Sequence, residues 1–420
     1  MRWILRCGLG AAALIGMTVA VLAEDAPPAQ SSILVYQADF FAAARPNTAY
    51  DMIARLPGFN FDDGKSARGF AGTAGNVLID GARPTSKTDD LQSILLRIPA
   101  SNVDRIELIR GGAPGIDMQG QTVVANVVRK KADTTEIVAD IQDQIFLNDH
   151  HTVPNLSLQF TQHSGDSTYE ASLTRTGNYD DSVGKGFHKI IDRLNGTVIR
   201  QDARSNGDGF GGQFTGAATV PLLGGTFKAN IALSASPFDS ALFYTGPPGN
   251  QAITDKNNNN TGELGLHWEG PLGGVHLETL FLQRLGHQTD LNASRQIGDN
   301  EVFHSVANTG ESIARATARY PITDSLGLEA GIEGAFNYLD GRSSFVDNGV
   351  NIPIPSASAY VDEKRGEIFA QGTWKLSDEW MLEAGARAEY SIIAETGDVQ
   401  LTRSFFYPKP RVVATWSPDD

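Results

Sequence analysis

Cysteine is nearly missing from this chain of 420 residues: the only one is Cys7. It lies in an N-terminal segment that reads as removable, so the remaining protein has no thiol chemistry, no disulfide and no cysteine-held metal. Long apolar runs are missing as well. After residue 23 nothing approaches the roughly 20 apolar residues that a spanning helix needs. Basic residues are scarce beside acidic ones, 34 against 49, giving a net charge of −15 and a sequence isoelectric point near 5.0. That balance argues against a nucleic-acid partner, because neutralising phosphates takes clustered Lys and Arg. No Ser-His-Asp or paired-carboxylate arrangement stands out, so the sequence does not read as an enzyme, and it implies no cofactor and no metal site. A hydrophobic content of 41% with a mean hydropathy of −0.21 suits a soluble protein. It suits a transmembrane barrel equally, since such a wall alternates apolar and polar residues instead of running apolar.

What is present begins with an export signal. Arg2 and Arg6 precede an apolar run from about Gly8 to Leu22, and Ala23 precedes Glu24-Asp25. Residues 1–23 therefore read as a cleaved secretory signal. Residues 24–44 form a Pro-, Ala- and Gln-rich leader with one β-prone patch, Ile33-Leu34-Val35-Tyr36. Such a patch suits strand addition to a partner's sheet edge, or it is a strand of the next domain.

Residues 45–132 make a small α/β unit. Asn47 or Thr48 can cap a first helix carrying Tyr50, Ile53 and Ala54, which Leu56-Pro57-Gly58 stops. Phe59-Asn60-Phe61 alternates like the start of a strand. Asn76 to Ile79 is a short apolar strand ended by Asp80-Gly81, a pair that tolerates positive φ. Leu91, Ile94, Leu95 and Ile98 recur at helical spacing from about Thr88, until Pro99. Two more strands follow, Asp104 to Arg110 and the β-branched Thr122 to Val128.

From residue 133 to 420 the texture becomes paired alternating strands. Leu156, Leu158 and Phe160 oppose Ser157, Gln159 and Thr161; Tyr169, Ala171 and Leu173 oppose Glu170, Ser172 and Thr174. The pattern returns around Phe227 to Leu233, Leu264 to Trp268, Leu326 to Tyr338, Ile368 to Leu376 and Trp380 to Tyr390. Apolar faces end in Trp, Tyr or Phe and polar faces carry charge, as a lipid-facing wall with aromatic girdles requires. Tight turns alternate with Gly-, Asn- and Asp-rich stretches expected to be long outer loops: Asn178 to Asp208, Pro237 to Asn260, His287 to Asn308 and Leu339 to Asp362. The expected fold class is mainly β: a partial transmembrane antiparallel β-barrel of about 12 strands behind an N-terminal α/β plug domain. A closed barrel of that size has a lumen too narrow for a domain of about ninety residues, whereas plugged transporters have 22 strands. The barrel is therefore expected to be incomplete, with open edges that lipid does not tolerate.

The α/β unit resembles the plug domain of TonB-dependent outer-membrane receptors. The likeness rests on Ala67-Arg68-Gly69-Phe70, on Asn76 through Asp80-Gly81, on Ile98-Pro99 followed by Val103 through Arg110-Gly111, and on the closing Val123 to Lys130. It departs at Met118-Gln119-Gly120, where the family usually has Tyr-Gly, and lacks the Gly-Gly pair before the last strand. The resemblance implies an outer-membrane receptor that imports a scarce ligand, a ferric siderophore or similar or a carbohydrate. Its implied partners are a TonB-type energy-coupling protein and outer-membrane lipid. A passive porin-like channel and a secreted β-rich hydrolase are the alternatives. The resemblance makes Ile33, Leu34, Val35 and Tyr36 the candidate TonB box. It also makes Arg68 and Arg110 plug arginines that face wall carboxylates, for which Glu329, Glu333, Glu383 and Glu389 are the candidate latch partners. Three further motifs take plainer readings. Gly207-Asp-Gly209-Phe-Gly-Gly212 fits a nucleotide-loop spacing with no helix behind it. His150-His151 reads as a solvated loop pair, and Asp255 with Asn257 to Asn260 as a flexible tip.

Overall fold

A computed structural model describes residues 33–64, 75–84, 90–110, 118, 121–130, 133–147, 151–179, 184–191, 194–377 and 379–416. The expected signal segment, Arg68, Gly69, Gly111 and His150 lie outside them. Strand β1 (Ile33–Gln37) opens the first unit and pairs antiparallel with β3 (Val103–Arg110), Ile33 opposite Ile109 and Tyr36 opposite Ile106. Helix α1 (Ala49–Ile53) starts at a capping box. The Thr48 hydroxyl accepts from the Asp51 N–H at 3.3 Å, and the Asp51 carboxylate accepts from the Thr48 N–H at 3.1 Å. These bonds satisfy donors that the first helical turn leaves over. Strand β2 (Val77–Ile79) runs parallel to β4 (Val123–Arg129), and helix α2 (Leu91–Leu96) is capped by Asp90, whose carboxylate accepts from the Ser93 N–H at 2.7 Å. The sheet order is β1-β3-β4-β2. Met52, Ile53, Leu95, Ile106, Leu108, Ala125 and Val127 are sealed into its core. The spacing of apolar residues that predicts α2 and β3 is the spacing that buries them.

Phe59 to Phe61 is not a strand. The buried Asn76 binds this stretch from the side instead, donating to the Asn60 carbonyl at 2.6 Å and accepting from the Asp62 N–H at 2.8 Å. Phe59 and Phe61 pack onto the core as irregular chain, and Phe61 sits edge-on to Tyr50. Alternation over three residues cannot outweigh a polar side chain that captures the backbone groups.

The rest of the chain forms one antiparallel sheet. Its continuous path holds β5 (Thr134–Phe146), β6 (His151–Ser164), β7 (Ser167–Tyr179), β9 (Val198–Leu222), β10 (Gly225–Thr245), β11 (Gln251–Leu272), β12 (Val275–Gln296), β13 (Asp299–Thr323), β14 (Leu326–Asp347), β16 (Ser358–Lys375), β17 (Trp380–Gly397) and β18 (Leu401–Trp416). Two shorter strands, β8 (Gly184–Ile191) on β9 and β15 (Val350–Ile352) on β14, lie off that path. Among the described residues β5 and β18 are each paired on one side only, so the sheet is open. Leu158, Leu264, Leu328, Ile332, Ile368 and Tyr390 are exposed on its outer face, while Glu263, His267, Arg315 and Thr317 are buried on the other. Trp380 and Trp416 stack at 6.0 Å near the short-turn end, and Trp374 is exposed beside them.

The long outer loops do not form as loops. Pro237 to Asn260 is strand except for residues 246–250, His287 to Asn308 turns at Ile297-Gly298, and Leu339 to Asp362 is strand to Asp347 and again from Ser358. Asn178 to Asp208 is largely strand among its described residues, within β7, β8 and β9. Asp255 and Asn257 to Asn260 are ladder residues of β11 opposite β12, not a flexible tip. Gly207 to Gly212 likewise lies within β9. Asn, Gly and Asp have low strand propensity, but a continuous hydrogen-bonded partner on each side overrides it. These segments lose apolar alternation because both faces meet water once the strand leaves the hydrocarbon, which takes only about 9–11 residues to cross.

Two outcomes are expected. Leu158→Arg costs about 2–4 kcal/mol in a reversible membrane-folding titration, the penalty for a cation at the bilayer midplane. The second concerns Asp51. Burial pushes its carboxyl up, but the N–H groups of Asn47 and Thr48, the Thr48 hydroxyl and the Arg55 charge outweigh that and hold it below its ordinary 3.8. Its contribution is therefore fully present above pH 3.8 and fades as pH falls through the lower folded-state value. The stability gap between wild type and Asp51→Asn, followed by denaturant melts, should close on acidification below that point.

Candidate functional site

The site grows out of a turn. Asp80 and Gly81 both have positive φ, 51° and 82°, a region that Asp tolerates and Gly adopts freely. The Asp80 N–H donates to the Val127 carbonyl at 2.9 Å and the Gly81 N–H to the Asn126 side chain at 2.8 Å, fixing the turn on the edge of β4. The Asp80 carboxylate then lies alongside the end of that strand. It accepts from the Arg129 N–H at 2.8 Å and from its Nε at 2.7 Å. The remaining arm of the guanidinium reaches out of the unit and binds Glu170 on β7. Arg129 is 12% exposed and Glu170 34%.

Burial alone would loosen the Arg129 proton. The Glu170 and Asp80 charges on either side more than offset it, so the guanidinium holds its proton more firmly than free arginine. A second bridge lies close by, where the Asn102 amide donates to the Glu136 carboxylate of β5 at 2.6 Å. By register Glu136, Thr161, Glu170 and Ala217 stand in one row across β5, β6, β7 and β9. The small domain is thus fastened to the inner wall at its first strands, close to the short turns Gly165-Asp166 and Leu223-Gly224.

Of the candidate latch residues, Arg110 and the four wall carboxylates lie among the described residues. Arg110 ends β3 with its guanidinium against Gly58, and among the described residues it makes no ion pair. Glu329 binds Arg319 at 2.9 Å, Glu333 binds Arg365 at 2.8 Å, Glu383 meets Arg411 at 3.7 Å and Glu389 binds Lys409 at 2.6 Å. All four cations belong to the wall itself. Arg319 is directly opposite Glu329 in register, the placement in which opposite charges on neighbouring strands pair. Around them Arg315 and Arg387 both lie over the Phe369 ring, at 4.9 and 4.4 Å. Ile33 to Tyr36 is the outermost strand of the plug sheet, paired on one side with β3. Sequence reasoning passed over Arg129 as the tail of an apolar strand, although its position one residue past that run was the available signal.

Two family models match parts of the chain. Residues 28–123 match the TonB-dependent receptor plug domain, and residues 192–420 match the TonB-dependent receptor-like β-barrel. In three dimensions the chain is similar to the ferric yersiniabactin uptake receptor FyuA of Yersinia pestis, at 12% identity and TM-score 0.37, covering 90% of this chain and 71% of that one. It is similar to the copper transporter OprC at 14% and 0.40, covering 93% and 62%. A third similar structure is the alcaligin outer-membrane receptor FauA of Bordetella pertussis, at 14% and 0.35, covering 94% and 61%. The chain thus spans 61% to 71% of the length of these three. No curated protein matches it in sequence.

Removing the Arg129 charge leaves Asp80 and Glu170 facing each other partly buried. Arg129→Gln is expected to cost on the order of 2–3 kcal/mol, less than a fully buried pair because Glu170 keeps some water. A double-mutant cycle with Glu170→Gln should return most of that as coupling; additive effects would show that the bridge carries no energy.

Proposed function

The chain belongs to the TonB-dependent receptor family, and from that premise we propose that it serves energised import of a scarce ligand across the outer membrane. The observation that carries this reading is the Asp80–Arg129–Glu170 bridge, which fastens a separately cored domain to the charged face of a wall whose other face is apolar. A passive pore has no use for such a domain, and a secreted hydrolase has none for outward leucines rimmed by tryptophan. The imported ligand is a ferric siderophore or similar, or a carbohydrate. The energy-coupling partner grips the leader around Ile33 to Tyr36. Because β1 lies at the sheet edge, a partner strand can add along its outer side, or peel it from β3 when force is applied.

In this mechanism Arg129, not Arg110, is the residue that undocking must release. Both variants are to be placed in the receptor as it exists in cells, with and without the proton gradient. Ligand accumulation should require the gradient in wild type. Arg129→Gln should admit large antibiotics that wild type excludes, and Arg110→Ala should leave permeability near the wild-type level. Uptake that continues unchanged after the gradient is collapsed would assign the passive channel instead.

A further inference from the structure

Lys185, Phe187 and Lys189 alternate along β8, and Arg200, Asp202 and Arg204 alternate along β9, so each set lies on one face of its strand. Register sets the two against each other: Lys185 opposite Arg204, Phe187 opposite Asp202 and Lys189 opposite Arg200. Two rungs of the ladder therefore oppose like charges, an arrangement that destabilises a strand pair in water. One carboxylate, Asp202, stands between the rungs. All six residues are exposed, and the Arg200 guanidinium lies 3.9 Å from the centre of the Phe187 ring. Among the described residues none of the four cations has an ion pair.

The row continues across the wall. Arg204 is opposite Phe243 on β10, Phe243 is opposite Ala252 on β11, and Ala252 is opposite Arg295 on β12, a fifth exposed cation with no ion pair among the described residues. This is the face that carries Phe214, Ile231 and Leu264 nearer the short turns, the apolar side of the wall. Lys256 and Arg342, the other outward Lys and Arg of β8 to β14, are held by Asp239 at 3.2 Å and Asp340 at 3.6 Å. On the inner face of the same strands, beyond the rung of Glu263 and Arg284, the described residues include no Lys or Arg. The height of the patch follows from the strand. β9 starts from its short turn at Leu222, and crossing hydrocarbon takes about 9–11 residues, which ends near residue 211. Arg204 stands about seven residues further out, on the order of 16 Å at about 3.3 Å per residue and a tilt near 45°. A phospholipid headgroup layer is only about 5–8 Å deep on each side of the bilayer. An anion that meets Arg204 from the lipid side is therefore carried above that layer, on a sugar headgroup.

We propose that the outward face of β8 and β9, with Arg295 beside it, is a docking surface for phosphorylated glycolipid of the outer leaflet. The phosphate oxygens accept from Lys185, Lys189, Arg200 and Arg204, which relieves both like-charge rungs at once. A cluster of four or more Lys and Arg beside a membrane takes anionic headgroups in the same way. The surface faces away from the lumen, so it lies off the path of an imported ligand. It rests on the wall lying in an outer membrane, and depends neither on energised import nor on which ligand is imported.

The test titrates the purified intact protein, in detergent at constant ionic strength, with bacterial lipopolysaccharide, the same lipopolysaccharide after removal of its phosphates, or phosphatidylglycerol. Saturable binding of the phosphorylated lipopolysaccharide is expected, weakening as salt is raised. Removing the phosphates should abolish it, and phosphatidylglycerol should bind more weakly. Arg200→Gln combined with Arg204→Gln takes one charge from each rung and leaves the backbone ladder in place, so this variant should melt no lower than wild type. It should bind about tenfold or more weakly, the usual loss for a charge-assisted hydrogen bond. Lys189→Arg should retain binding, and so should Lys375→Gln, which removes a charge at the short-turn end of β16. Equal affinity for the phosphorylated and phosphate-free forms, or a double variant that binds as tightly as Lys375→Gln, would overturn the surface. Phosphatidylglycerol bound as tightly as lipopolysaccharide would overturn its assignment to glycolipid. None of these results bears on energised import, which is measured separately.

Discussion

A polypeptide in hydrocarbon has no water to satisfy its amides, and this constraint governs the larger part of the molecule. It is met by strands of up to 25 residues whose neighbours bond along nearly their whole length. Once every backbone group is engaged, the side chains must alternate, apolar toward lipid and polar toward the inside. The inner face then has to dispose of its charges. It does so by cross-strand pairing, so that Glu329, Glu333, Glu383 and Glu389 are each held by a wall cation.

That distribution splits the wall functionally. From β12 to β18 the inner face carries these cross-strand pairs, with Phe369 filling the gap beside Gly331 under two guanidiniums. From β5 to β10 it is less complete. Glu136 and Glu170 look outward from their own strands for partners. The plug supplies Asn102 and Arg129 at just those positions. Among the described residues, the plug meets the wall at carboxylates whose register partners are uncharged, Thr161 beside Glu136 and Thr161 and Ala217 beside Glu170.

Much of this was legible in the sequence because it depends on periods. Leu91, Leu95 and Ile98 bury at helical spacing, and Leu156 and Leu158 face outward at strand spacing, since burial selects period and period can be read without coordinates. Asp80-Gly81 was legible because only a few residue types accept positive φ. What could not be read was long-range pairing. Arg129 meets residues 41 and 49 positions away, and nothing local marks the meeting. The outer hairpins were misread for the opposite reason. Asn257 to Asn260 carries a strong local turn signal, but two flanking strands in fixed register decide its conformation. Phe59 to Phe61 shows the same limit on a small scale, where Asn76, far along the chain, decides.

The chemistry of the seam follows from what it must permit. An apolar interface of similar extent would gain stability from area, and undocking it inside a wet lumen would expose that area to water. A seam of ion pairs and amide hydrogen bonds behaves differently, because water entering it replaces the partners that are lost. Its strength is a few kcal/mol at most, concentrated in Arg129, whereas a domain with a sealed core such as Met52, Ile106 and Leu108 typically resists unfolding by about 5–15 kcal/mol. In the import mechanism proposed above, a pull on the leader meets the weaker of these two resistances first. On that proposal the plug leaves the wall as a folded body, and the order of events is set by the difference between a hydrated polar seam and a dry apolar core.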